Sequence, residues 1–281
     1  MDVLREVMLK YPQRAATVKV LEKPHNEGVP AARRNGLELA EGEYVIHCDS
    51  DDRMEPDMLE TMYREARLHD ADGVVCGWMR GDIPAHTKYT RTGENLRDFI
   101  LEDIVAVGEM QALWRYMFKR DVYSRGVEFP LYNQGEDQTL LVELAYHSKS
   151  IYCVTKPLYH WLYYPESITH ADSVSAARRR FEEACANACR VESFLAGKGM
   201  KERYASGLVA LKLNAMFFMR PLLREGAGIG EWRKAFPEIK GKVLCNKSIT
   251  FTHQIEYLMN RYCPPRVIEA IYRLRRRHRR A

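Results

Sequence analysis

Glu43-Tyr44-Val45-Ile46-His47-Cys48-Asp49-Ser50-Asp51-Asp52 turns from an apolar, β-branched run into three carboxylates within four residues. The run predicts a buried strand, and strands of open α/β sheets deliver their chemistry at the carboxyl end. Three acids crowded there repel one another unless a cation or a proton sits between them. A hard divalent ion, held through oxygen and bridging to phosphates, fits that need. The plainer alternative is a strand end followed by a solvated acidic turn, since Asp and Ser both favour turns.

Working outward, Val3, Leu4, Val7 and Met8 recur at helical spacing, and Thr17 to Leu21 reads as a strand. Pro30 suits the first turn of a helix running through Leu37, with Gly42 as its left-handed stop. A helix from about Pro56 to His69 and a strand from Gly73 to Trp78 follow. This alternation predicts right-handed crossovers and a parallel sheet, so the fold class is α/β. The stretch from about Arg80 to Tyr164 mixes short strands with a helix at Gln138 to Tyr146. Beyond Asp172 the pattern is helical, broken near Gly197 to Gly199, Gly226 to Gly230 and Pro264-Pro265.

The 281 residues suffice for one large α/β domain with a helical appendage. No apolar stretch is long enough to span a bilayer, and no signal-like segment opens the sequence. Seven cysteines without a Cys-x-x-Cys pair argue against a disulfide framework. Cys48 and Cys76 are expected to be buried thiols, and a cytoplasmic location is expected. Residues 261–281 carry eight arginines against Glu269, a balance of +7. The whole chain is +5, so residues 1–260 sum to −2 and the basic character belongs to the tail.

Three segments carry the strongest pattern. Asn26-Glu27-Gly28, Arg33, Gly36 and Gly42 lead into Asp49-Ser50-Asp51-Asp52; Gly126 to Pro130 precedes Gly135-Glu136-Asp137; Leu158 to Tyr163 precedes Glu166 to Thr169. In this order and spacing the chain resembles the inverting family 2 glycosyltransferases over roughly residues 1–170. The resemblance implies a Rossmann-like GT-A nucleotide-sugar-binding domain over residues 1–171 and a helical extension over 172–281. It also implies a nucleotide-sugar donor, UDP-linked by expectation, a Mn or Mg ion, and a glycan or glycolipid acceptor.

Within the resemblance, Asp49 and Asp51 match the Asp-x-Asp pair that holds the donor ribose and the metal, with Asp51 on the metal. A divalent cation there would stabilise the charge that develops as a nucleoside diphosphate departs. Asp52 is read as a cap for the helix near Pro56, with a helper role as the alternative. Asp137 matches the catalytic base that takes the acceptor proton, and Glu136 would hold acceptor hydroxyls. Without the family, both acids would merely complement the dipole of an apolar helix containing Leu140, Leu141 and Leu144. Arg33 falls where the family has an arginine near the nucleotide; a surface ion pair is the alternative. Arg34 departs from the family's usual Asn. His160 and His170 are candidates for the diphosphate or metal against plain packing. Trp78 and Trp161 are candidates for stacking on a sugar against core packing.

The largest departure is at the front, where the two strands that hold base and ribose have no counterpart before Asp2. The expectation is therefore of an N-terminally truncated domain with weak donor affinity, Met1 being internal to a longer frame or the chain a decayed fragment. Two rival functions stay open: a non-catalytic sugar-binding or assembly subunit, and a metal-dependent phosphatase, which would want a Gly-Thr after the pair where Asp52-Arg53-Met54 stands. An EF-hand loop fails for lack of its Gly and distal Glu. The tail from Pro265 onward, with Val267, Ile268, Ile271, Tyr272 and Leu274 beside clustered arginines, suits either an anionic membrane at the cytoplasmic face or packing on the domain. Nucleic-acid binding is not expected, because the tail lacks aromatic interleaving.

Overall fold

The structure, a computed structural model, describes residues 2–85, 87–162 and 174–278. The motif residues Tyr163 and Glu166 to Thr169, and His170, lie outside the described residues.

Two short helices, α1 (Asp2–Lys10) and α2 (Pro12–Ala15), precede α3 (Val29–Leu39). Thr17 to Leu21, expected as a strand, forms none. Val18, Val20 and Leu21 are exposed there, so no sheet neighbour supplies the pairing that the β-branched valines favour. Pro30 stands in the first turn of α3, as expected, but Gly42 is not its stop. The helix ends at Leu39 because Ala40 turns extended, at φ −74°, ψ 131°.

Six strands form one sheet: β1 (Tyr44–Ile46), β2 (Arg53–Met54), β3 (Gly73–Arg80), β4 (Ile83–Pro84), β5 (Tyr116–Lys119) and β6 (Ile151–Trp161). The order is β1-β5-β3-β6-β2, with β4 on the end of β3. The expected parallel sheet is corrected to a mixed one. β3 and β6 are parallel, whereas β5 runs antiparallel to both β1 and β3. The reason lies in the connection. A 3-10 turn at Leu113–Arg115 delivers the chain opposite Val75, and β5 runs from there back to Gly73, where β3 begins.

Alternation along β3 sorts the core. Val74 and Cys76 face α4 (Met58–Leu68), against Met58, Met62 and Ala66. Val75 faces the other way, into a cluster with Ile100 and Leu101 of α5 (Arg97–Val105) and Leu140 and Leu144 of α6 (Glu136–His147). The same cluster takes Ala188 and Val191 of α7 (Val174–Gly197) and Leu208 and Leu211 of α8 (Ala205–Met216), so the C-terminal helices begin as part of the sheet's own core. A second helical cluster gathers α9 (Arg220–Arg224), α10 (Ile229–Lys234), α11 (Phe251–Tyr262) and α12 (Pro265–His278) around Trp232. The breaks expected after Gly197, between Gly226 and Gly230 and at Pro264 fall between these helices.

The apolar flank of α12 is divided. Ile268 and Tyr272 are buried, with the Tyr272 hydroxyl donating to Glu256 at 2.6 Å, while Val267 and Leu274 remain exposed. Among the described residues no helix is long and apolar enough to cross a membrane.

Candidate active site

The acid run lies where β1 ends. Asp49 to Asp52 form a turn, closed by Asp52 N–H donating to the Asp49 carbonyl at 3.2 Å. This turn is strapped to β6. The Asp49 N–H donates to the Tyr159 hydroxyl at 3.2 Å, and that hydroxyl donates to Asp52 Oδ2 at 2.9 Å. The Leu162 N–H donates to Asp52 Oδ1 at 2.8 Å. Asp52 is thus the anchor of the turn and not a helix cap; Asp57 occupies the cap position of α4. With Asp52 spoken for, Asp51 points its carboxylate to solvent and Asp49 stays half-exposed. Burial pushes the Asp49 and Asp52 carboxyls above their ordinary values.

Arg33, on α3, ties this turn to a second group of acids. Its guanidinium meets Asp49 Oδ1 at 3.0 Å and also pairs with Glu136 and Asp137. Only 9% of the Arg33 side chain is exposed, so the surface-pair alternative is corrected to a buried three-carboxylate bridge. Burial alone would lower its proton affinity, but the carboxylates of Asp137, Glu136 and Asp49 outweigh it and hold the charge firmly. Its planar fork suits such multiple contacts as a lysine would not.

Glu136 and Asp137 open α6. Gly135 precedes them at φ +80°, a left-handed conformation that glycine adopts without strain. The Leu113 N–H, at the start of the turn into β5, donates to Asp137 Oδ2 at 3.3 Å. Burial, then the neighbouring Asp137 charge, pushes the Glu136 carboxyl far up. For Asp137 burial acts upward too, yet the hydrogen bond from Glu136 and the Arg33 charge win and hold it below its ordinary value. Two adjacent carboxyls pushed apart in this way leave one proton on Glu136 and an ionised Asp137. An ionised acid whose neighbour keeps the proton is equipped to act as a base.

Several contributors have no local sequence signal. Asn133 accepts from the Val29 N–H at 2.8 Å and so caps α3 from the loop before Gly135, fixing Arg33 relative to Asp137. A Cβ on Gly28, at φ +89°, would collide with the Asn133 side chain, which explains the glycine. Trp114 stacks on Tyr159 at 4.3 Å and meets Trp78 edge-on at 5.7 Å, and Trp78 meets Trp161 at 6.4 Å. These three indoles line a cleft of about 380 Å³ whose wall includes Asp137. Trp78 and Trp161, singled out as candidates for stacking on a sugar, both stand in this cleft; Trp114 was missed because its partners are distant in sequence.

His160 follows its packing alternative: it is buried, with its ring held by the Gly81 carbonyl at 2.8 Å and by Glu55. Cys48 is corrected, being exposed beside Asp49, whereas Cys76 is buried as expected.

The residues fit a small divalent ion in one respect. Asp51 is exposed, and Asp49 keeps one oxygen clear of Arg33. Two carboxylates plus substrate phosphates are a usual set for Mg. Among the described residues no cluster of three metal-ligating side chains exists, so the protein's own donors make only part of a coordination shell.

Comparison with known proteins agrees with this geometry. Residues 1–123 match the family described as Glycosyl transferase family 2. The protein EpsH of Bacillus subtilis strain 168, which carries a glycosyltransferase name, is 26% identical over 248 residues, covering 83% of this chain and 60% of EpsH. The cholesterol galactosyltransferase of Borreliella burgdorferi is 39% identical over 71 residues, 25% of this chain and 19% of that protein. The chain therefore spans less than two thirds of the length of these curated relatives. Among solved structures, S. aureus TarS 1-349 in complex with UDP-GlcNAc superposes with a TM-score of 0.62 at 16% identity, covering 96% of this chain and 79% of TarS 1-349. That likeness gives the fold: a mixed α/β GT-A domain with a helical C-terminal region. Residues 1–123 thus carry the match to Glycosyl transferase family 2, within a fold like that of TarS.

Proposed function

We propose that this protein is a metal-dependent inverting glycosyltransferase, moving a sugar from a nucleotide-diphosphate donor to a hydroxyl of a glycan or glycolipid. In this reading residues 1–171 are the transferase unit and 172–281 a helical extension. The observation that carries it is the Arg33 bridge, in which a single guanidinium touches Asp49 on the acid turn and Asp137 on α6. Donor-side and acceptor-side carboxylates therefore face one another across a single reacting site.

Asp137 takes the proton of the acceptor hydroxyl as its oxygen attacks the anomeric carbon, and the nucleoside diphosphate leaves from the opposite face. The neutral Glu136 holds acceptor hydroxyls. Arg33 offers positive charge to the departing diphosphate. Asp51, with Asp49, would hold a Mn or Mg ion that supplies Lewis-acid charge to the same group. The UDP-GlcNAc in the similar TarS fold supports a UDP-linked donor.

A panel of UDP-, GDP- and dTDP-sugars with Mn or Mg tests this. Metal-dependent binding and slow donor hydrolysis are expected. Binding without any turnover on a broad acceptor panel would favour a sugar-binding or assembly subunit, and phosphate release from p-nitrophenyl phosphate would favour the phosphatase.

We also place the protein at the cytoplasmic face of an anionic membrane through its tail. Ile268 and Tyr272 already serve the core, so the arginines beyond Leu274 carry this role, at about 1 kcal/mol each near an anionic surface. Replacing Arg275, Arg276, Arg277, Arg279 and Arg280 by glutamine should release the protein from phosphatidylserine vesicles in co-sedimentation. Undiminished pelleting would remove the tail from that role.

A further inference from the structure

Behind Asp137 lies a second cavity of about 290 Å³, walled by the start of α6 and by α7 and α8. It shares Gln111 and Asp137 with the tryptophan-lined cleft, so the two spaces meet at the same carboxylate. Their linings differ. The cleft offers indole faces, whereas the cavity presents the amides of Gln111, Gln134, Asn187 and Asn214 over small residues such as Ala188.

We propose that this cavity is a second acceptor subsite, taking the neutral sugar unit next to the one that receives the transferred sugar; it rests on the transferase reading above. The first support is an orphan. Glu136 lines the cavity, its side chain is nine-tenths buried, and its Oε1 is taken by Arg33. Its Oε2 has no hydrogen-bond partner among the described residues. Leaving such an atom unsatisfied is costly, and a ligand hydroxyl would relieve it.

The amides point the same way. Asn187 spends its Nδ2 on the carbonyls of Tyr132 and Gln134, at 3.1 and 2.8 Å, which locks the side chain and leaves its Oδ1 to accept. Asn214 is the polar interruption in the apolar run Leu208 to Met216 that faces α7, apart from Lys212, which pairs with Glu192 and Glu238. It makes no side-chain hydrogen bond among the described residues, so its donor and acceptor are both available. Glu136 and Asp137 are the acidic groups in the lining, Asp137 is ionised and among the described residues no basic side chain joins them there, so a phosphate is disfavoured and a neutral polyhydroxy group is admitted. An aromatic face on one side of the base and an amide pouch on the other are what a chain of at least two sugars requires.

Calorimetry on the full chain tests the subsite with pairs of free sugars: N-acetylglucosamine and N,N′-diacetylchitobiose, glucose and maltose, galactose and lactose. At least one disaccharide should bind about tenfold more tightly than its monosaccharide, the worth of one or two net hydrogen bonds. Asn214→Leu, which fills the space from α8, should erase that preference and leave monosaccharide and UDP affinity unchanged. Asn214→Ala serves if the larger side chain prevents folding, and should reduce the preference by removing the amide. A panel in which no disaccharide outbinds its monosaccharide, or a preference that survives both variants, overturns the proposal. UDP binding read in the same samples keeps a failure of the donor site distinct from a failure of the subsite.

Discussion

The acid turn at the end of β1 and the first turn of α6 present the same side-chain chemistry in opposite states. Asp51 is exposed, and 37% of the Asp49 side chain is exposed. Glu136 exposes only 9% of its side chain, beside an Asp137 at 26%. A strap from the Asp49 N–H to the Tyr159 hydroxyl holds the first pair at the surface. Burial forces the second pair to share one proton, and the hydrogen bond from Glu136 together with the Arg33 charge makes Asp137 the member that loses it. In the proposed function, location relative to solvent, more than residue type, separates the ligand pair from the pair that holds the base.

The sharpest way to break this contrast is at the base. Asp137→Asn should bind donor as the parent does but lose transfer by roughly a hundred- to ten-thousand-fold, the range for loss of a general base. Single-turnover rates within a few-fold of the parent would return Asp137 to a purely helix-terminal role.

Removing the bridge comes next. Arg33→Met strands ionised carboxylates in a buried setting, and should destabilise the fold by roughly 3–5 kcal/mol in urea unfolding. Arg33→Lys keeps the charge without the fork and should lose less. Equal stability for parent and Arg33→Met would mean that the three acids are solvated well enough without it.

On the exposed pair the effect is on binding alone. Asp51→Asn should weaken Mn-dependent UDP affinity by about tenfold or more, by analogy with the loss of metal-site groups, with an unchanged melting temperature. A parental Mn response by calorimetry would remove Asp51 from the metal.

The smallest effect sharpens the contrast through pH. Glu136 holds its proton more tightly folded than unfolded, its carboxyl being pushed from 4.5 up to about 10. Between those values the folded state binds the extra proton, so this group's contribution to stability is full below pH 4.5 and declines as pH rises toward 10. Glu136→Gln should flatten that decline while folding normally. An identical pH dependence of unfolding in the variant would place the shared proton elsewhere.

Local features of this architecture were legible in the sequence, and features that depend on distant contacts were not. The acid run after Tyr44 to Ile46, Pro30 at a helix start and the breaks between the C-terminal helices all have causes within a few residues. The direction of β5 depends on where the preceding turn delivers the chain, which no periodicity encodes. Thr17 to Leu21 has strand character but no sheet partner. The Arg33 bridge joins positions 16, 103 and 104 residues apart, so sequence could nominate its members singly and not as one assembly. Asp52 was misread for the same reason: β6 and the residue after it claim its side chain for structure.

The stacking of Trp114 on Tyr159 has an optical consequence. Three of the chain's four tryptophans, Trp78, Trp114 and Trp161, stand in the cleft, and the fourth, Trp232, is sealed in the helical core. Tyr159 carries the acid turn on its hydroxyl and Trp114 on its ring. Any event that shifts the turn therefore alters the surroundings of an indole, and the native emission of the unlabelled protein becomes a recorder of occupancy at the acids.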